Sequence, residues 1–168
     1  MSAYIVAYQG LDKYEGRIGK VCGGRDEATR IFEVDGNLDF PEFLEGLEID
    51  DVYSYKSEIW FGFGEDRLIN ENFEKLAGLV QYDWQMPDAN DPGPFHELFR
   101  WGCVGTIGPA ASAKLAADFA VWDARAQARD DESFYGFFSK LRAVFDCVMT
   151  DGCLQYRAVP RCSIAYLQ

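Results

Sequence analysis

The stretch GCVGTIGP, residues 102–109, sets three glycines at steps of three and ends on a proline. Glycine-rich turns let backbone amides approach a phosphate, so nucleotide chemistry is the first reaction to weigh. The phosphate-loop pattern G-x-x-x-x-G-K-[ST] is not met, because no Lys-Ser/Thr pair follows and the next lysine is Lys114. The dinucleotide fingerprint needs other glycine offsets and a preceding strand, whereas HELFRWG reads as helix. Gly108 before Pro109 is instead a helix start, with proline's fixed φ in the first position and Thr106 as a nearby cap. The loop is expected to be structural and to bind no nucleotide.

Other reactive side chains are sparse. His96 is the one histidine, and its neighbour Glu97 cannot face it on a helix. Cys22, Cys103, Cys147, Cys153 and Cys162 are odd in number and form no C-x-x-C pair, so reduced, mostly buried thiols are expected. Asp50–Asp51 and Asp130–Asp131–Glu132 could ligate a hard cation, but they sit where turns and caps need such residues. Neither a cofactor nor a metal is expected. If the chain is an enzyme, its site lies near residues 85–108, with His96, Cys103 or Asp91.

The elements that must position these groups follow from residue periodicity. AYIVAYQG at the start is β-branched and aromatic, hence a strand. GRIGKVCGG is a second strand or a loop, and RDEATRIFEV has the spacing of a short helix. DFPEFLEGLE suits another short helix with Pro41 in its first turn. DVYSYKSEIWFGFGED reads as one strand or two, and RLINENFEKLAGLV as an amphipathic helix. QMPDANDPGP, residues 85–94, is the clearest loop and a possible lobe boundary within a single domain.

PFHELFRWG predicts a short helix after Pro94. Ala111, Leu115, Phe119, Trp122 and Ala126 then mark one long helix. Phe134, Phe137, Phe138, Leu141, Phe145, Val148 and Met149 mark a second, with Asp131 or Ser133 as its cap. CLQYRAV and RCSIAYL read as closing strands. The expected fold is α+β, a helical hairpin packed on a small, mostly antiparallel sheet.

Charge is unevenly distributed. The chain carries −12, and residues 1–100, with 21 acidic and 9 basic side chains, account for all of it. Between Ile31 and Asp66 stand 11 carboxylates and one base, Lys56. Such a field repels nucleic acid and anionic membrane and attracts basic partners. MSAYIVAYQG lacks the basic and apolar regions of a secretory signal, and no run is long enough to span a membrane, so a cytoplasmic location is expected.

The segment PFHELFRWGCVGTIGPAASAKLAADF resembles a group of small, largely uncharacterised bacterial proteins of immunity type. Pro94, Phe95, Glu97, Leu98, Cys103, Gly105, Ile107, Gly108, Lys114, Leu115, Asp118 and Phe119 carry the likeness, which covers roughly residues 94–157. Trp101 and Gly102 stand where that group has Ser and Asp, and Val104 where it has Glu. The resemblance implies an immunity role beside a bacterial toxin and brings no catalytic residues with it.

Together these observations predict a cytoplasmic immunity or inhibitor protein that is not an enzyme and covers a basic toxin domain. Carboxylates would speed encounter, and aromatic anchors would supply central contact area. The expected contact residues are Asp39, Glu42, Glu45, Glu48, Asp50, Asp51, Tyr53, Tyr55 and Trp60. The alternatives are the small enzyme above and an acidic mimic of nucleic acid.

Overall fold

The computed structural model describes residues 2–16, 25–26, 30–35, 41–83, 93–101 and 105–159. The fold is α+β, and its frame is β1 (Ser2–Gln9), the long strand at the start. β1 pairs antiparallel with β6 (Ser57–Glu65) on one side and β8 (Cys153–Val159) on the other. β7 (Thr106–Ile107) completes the order β6-β1-β8-β7. A second antiparallel sheet, in the order β2-β5-β4-β3, is built from β2 (Asp12–Lys13), β3 (Arg25–Asp26), β4 (Ile31–Glu33) and β5 (Val52–Ser54).

Successive side chains of a strand point to opposite faces, and on β1 both faces are covered. Ile5 and Ala7 enter the core under the helices, while Val6 and Tyr8 enter a second core against the small sheet. Tyr8 stacks on Phe32 at 4.2 Å between centroids and lies 4.9 Å from Tyr55. An unbroken apolar run such as YIVAY is what burial on two faces requires. The layers are therefore helices, sheet and small sheet, one sheet more than the residue pattern predicts.

Among the described residues, four helices pack on the side of the first sheet that carries Ile5 and Ala7: α1 (Asp66–Val80), α2 (His96–Trp101), α3 (Pro109–Gln127) and α4 (Glu132–Val148). α3 and α4 form the expected hairpin, and α4 begins at Asp131, whose carboxylate accepts the Phe134 amide. The phenylalanines of α4 are buried as their spacing predicts, whereas Met149 just past its end is exposed. α3 buries Ala111, Leu115, Phe119 and Ala126 but shows alanines on its outer face too, at 110, 113, 117, 120 and 124. Alanine's high helix propensity sustains that face without charges.

Two expectations are corrected. RDEATRIFEV holds strands β3 and β4, not a helix, because Phe32 is drawn into the aromatic stack with Tyr8 and pairs opposite Tyr53. A three-residue strand leaves too little periodicity to outweigh a chance helical spacing. DFPEFLEGLE forms only a 3-10 turn, Pro41–Leu44, whose Phe43 enters the helix-side core while Leu44 enters the other. The strand or loop proposed over GRIGKVCGG, the boundary loop 85–94 for most of its length and the last strand RCSIAYL lie outside the described residues.

The two sheets are locked by one buried polar side chain. Gln155, on β8, is 1% exposed and donates from Nε2 to the Glu33 carbonyl, Asp35 Oδ1 and Thr106 Oγ1, each at 2.9 Å. Its Oε1 accepts from Arg157. Gln155→Leu keeps the volume and strands these partners, and an unmade buried hydrogen bond costs about 1–3 kcal/mol. Urea unfolding of this variant is expected to show a loss of about 2 kcal/mol; stability equal to wild type would mean that apolar packing alone joins the sheets.

Candidate functional site

The acidic segment is held by backbone hydrogen bonds and by its apolar side chains Phe43 and Leu44, not by its carboxylates. Gly108 donates its amide to the Phe43 carbonyl at 2.7 Å, and Asp50 donates to Val34 at 2.9 Å. Gly46 has φ +96 and lies so close to Pro109 that a Cβ would meet Cγ at 2.8 Å. Gly108 has an ordinary φ, but a Cβ there would meet the Glu45 carbonyl at 3.1 Å. The start of α3 and the acidic turn thus interlock at two glycines. The amide of Gly108, which a phosphate would need, is already used.

That settles the local role of the described part of GCVGTIGP, with residues 102–104 outside the described set. Gly108 caps α3 with Pro109 following, as expected. Thr106 does not cap the helix: it sits in β7, donating from Oγ1 to Asp35 at 2.9 Å. Its side chain joins the buried lock around Gln155 instead.

Glu42, Glu45, Glu48 and Asp50 are exposed, and Asp51 is half-buried. Lys13 reaches across from β2 to Glu48 at 2.8 Å and Asp51 at 2.5 Å. The hydrogen bond from Lys13 lowers the Asp51 pKa, and the bond to Asp51 in turn raises that of Lys13. Two of the five carboxylates are therefore partly neutralised. Glu42, Glu45 and Asp50 have no ion-pair partner among the described residues, so the field points outward from them. Asp39 lies outside the described residues.

The aromatic part of the expected surface is corrected. Tyr53 and Tyr55 are 8% and 6% exposed and belong to the core between the sheets. The alternation of DVYSYK was legible, but the small sheet that buries both tyrosines was not. The Tyr53 hydroxyl accepts the Glu48 amide at 3.2 Å, so this ring supports the acidic segment from within. Trp60 is half-buried, edge-on to Tyr4 at 5.9 Å, and donates to Glu58 at 3.3 Å. It stands on β6, whereas the acidic turn packs beside β7. Three strand spacings, about 14 Å, separate those edges.

A second cluster joins α2 to α3. Phe95 is buried at φ +59, a conformation that a bulky residue occupies at a cost of about 1–2 kcal/mol. Its amide donates to Asp118 Oδ2 at 2.9 Å, and its ring meets Phe119 at 4.7 Å. Lys114 bridges Glu97 at 2.5 Å and Asp118 at 3.8 Å. Burial raises the Asp118 pKa, with the Phe95 amide and then Lys114 acting against it. The Lys114–Asp118 spacing of four was readable in a helix; the Glu97 and Phe95 partners, far apart in sequence, were not.

Compared with protein-family models, curated proteins and solved structures, the chain matches none of them.

Of the residues suggested for catalysis, only His96 is among the described residues. His96 lies beside Tyr82, and Asp91 and Cys103 fall outside the described residues. Among the described residues no group of three His, Cys, Asp or Glu could hold a metal, and no helix is long and apolar enough to cross a membrane. Cys147 and Cys153 are free thiols whose pKa burial pushes up, so both are poorly reactive.

Asp118 offers a test of what this cluster does. Asp118→Asn keeps an acceptor for the Phe95 amide and removes a partly buried charge, so stability at pH 7 is expected within about 1 kcal/mol of wild type. Asp118→Ala removes the cap and is expected to cost about 1–2 kcal/mol. The sign with pH is fixed: the raised folded-state value means the wild-type group favours folding below about 3.8 and loses that contribution as pH rises through its folded pKa. Wild type should therefore gain on Asp118→Asn upon acidification, measured by denaturant titration at several pH values.

Proposed function

We propose that this chain is an immunity or inhibitor protein, acting in the cytoplasm without catalysis, that covers a basic toxin domain. The observation that carries the reading is the triad Glu42, Glu45 and Asp50, exposed, without cationic partners among the described residues, and fixed on backbone pinned to the start of α3. A rigid carboxylate surface loses little conformational entropy on binding, and its field accelerates encounter with a cation-rich partner. Glu48 and Asp51, paired with Lys13, sit at the margin of that contact. Trp60 is a further, half-buried anchor on β6, packed against the core between the sheets that also holds Leu44 and Tyr53.

Tyr53 and Tyr55 belong in this reading as supports of the surface, since neither reaches solvent enough to serve as a hot spot. The acidic distribution disfavours nucleic acid as a ligand. The free thiols Cys147 and Cys153 suit a reducing compartment.

The test begins with affinity capture of a partner from the native host and continues with stopped-flow association. Glu42→Lys with Glu45→Lys and Asp50→Asn is the informative combination; Asn is chosen at 50 because that residue has φ +63, which Asn tolerates. Association is expected to slow by about tenfold or more at low salt and much less at high salt, with dissociation little changed. Lys13→Met unmasks Glu48 and Asp51 and is expected to speed association. A neutralised partner whose association ignores both salt and these changes would show that the acidic turn is only a solvated surface.

A further inference from the structure

Two packing defects meet on the inward face of α1, an element that the proposed function does not use. That face buries Ile69, Asn72, Leu76 and Ala77. Between Ile69 and Phe73 of α1, Phe137 and Leu141 of α4, and Ile5 and Phe63 of the sheet lies a cavity of about 10 Å³ lined by apolar atoms. Phe73 reaches Phe137 edge-on at 5.5 Å beside it. Side chains around a void forgo the dispersion contacts that a filled core supplies. Asn72 is the second defect. Its Nδ2 donates to the Leu68 carbonyl of its own helix at 2.8 Å, and its buried Oδ1 has no hydrogen-bond partner among the described residues. A buried acceptor left unpaired has lost its hydration with nothing in return.

We propose that α1 is a labile cover: it unseats and unravels as one unit while the sheet and the α3–α4 hairpin stay folded, and so uncovers the apolar floor of Ile5, Phe137 and Leu141. The strap that holds it down is polar and lies at the surface. Lys75 Nζ meets Asp131 Oδ2 at 2.7 Å, both side chains partly exposed, and Arg129 Nη1 donates to the Lys75 carbonyl at 3.3 Å. Ion pairs so placed are weak ties. Asp131 caps α4 with its other oxygen, accepting the Phe134 amide at 2.9 Å, so the tie to Lys75 can break while α4 keeps its cap. Both ends of α1 stay tethered. Glu65 of β6 leads straight into Asp66, and Tyr82, just past the left-handed Gln81, packs on Phe99 at 4.4 Å. The opened segment therefore re-seats on its floor, and the opening is reversible.

Native-state hydrogen exchange of the intact chain, read by NMR at low denaturant concentrations and corrected for intrinsic rates, tests this. The Leu76 and Ala77 amides are expected to exchange at least about tenfold faster than those of Leu141 and Val144, with a weaker dependence on denaturant. Phe145→Leu separates local opening from global unfolding. Phe145 lies about two turns beyond Phe137 on α4 and stacks on Phe119 of α3 at 5.7 Å, a contact that opening of α1 leaves intact. The variant should speed exchange at Leu141 and Val144 by about tenfold and leave Leu76 and Ala77 unchanged. Asn72→Leu removes the unpaired acceptor and should slow Leu76 and Ala77 by about fivefold or more. Equal rates and denaturant slopes for the two helices in wild type would overturn the cover. So would Leu76 and Ala77 speeding in step with α4 in Phe145→Leu, or ignoring Asn72→Leu. The wild-type slopes decide the matter even if Phe145→Leu fails to fold.

Discussion

Burial of β1 on both faces is the constraint on which this structure depends. A strand covered once can alternate apolar and polar residues, but Ile5, Val6, Ala7 and Tyr8 are all buried, two toward the helices and two toward the small sheet. Each layer exists because that strand has an apolar face to cover. The cost of such an arrangement falls on its neighbour β8, whose Gln155 must sit in the inner layer with its amide satisfied. It succeeds only because the end of β4, through the Glu33 carbonyl and Asp35 just beyond it, converges with Thr106 of β7. Polar satisfaction and apolar burial thus select the same packing of the two sheets.

The same packing explains why the acidic segment can be charged and yet ordered. Residues 42–51 hold no buried strand or long helix of their own, and five carboxylates with no base among them repel one another. Here Phe43 is anchored in one core and Leu44 in the other, so the chain straddles the edge of the main sheet. Tyr53 supports it from beneath through its hydroxyl. Lys13 offsets part of the repulsion, and exposed pairs of this kind contribute little stability by themselves, about 0–1 kcal/mol. Apolar anchors fix the segment, and its carboxylates are left free to face outward.

The helical half was legible because long periodic stripes report burial directly: Leu115 and Phe119 on α3, and Phe134 to Val148 on α4, lie where their spacing puts them. The strands β1, β6 and β8 were legible for the same reason, as runs of β-branched and aromatic residues. The small sheet was not. Its strands are two or three residues long, and Ile31 and Phe32 join it through contacts with Tyr8 and Tyr53, distant in sequence. That one omission misplaced Tyr53 and Tyr55, since a strand with no visible covering layer looks exposed. The carboxylates at 42, 45, 48 and 50 are exposed, but the pairing of Glu48 was hidden from the sequence, because Lys13 and Glu48 are 35 residues apart.

The residues around the start of α2 and along α3 have a physical explanation within this chain. Phe95 needs its left-handed turn in order to enter the core, and Asp118 supplies the acceptor that the turn requires. Glu97 and Lys114 pair across the same joint, and Gly108 must be small to accept the acidic turn at the start of α3. Each of these residues has an intramolecular task, so their pattern specifies how two helices and a turn are assembled. A pattern of that kind can recur among proteins that differ in what they bind. Glu42, Glu45 and Asp50 stand exposed on the surface that this assembly holds in place, so they can change without disturbing the joint beneath them.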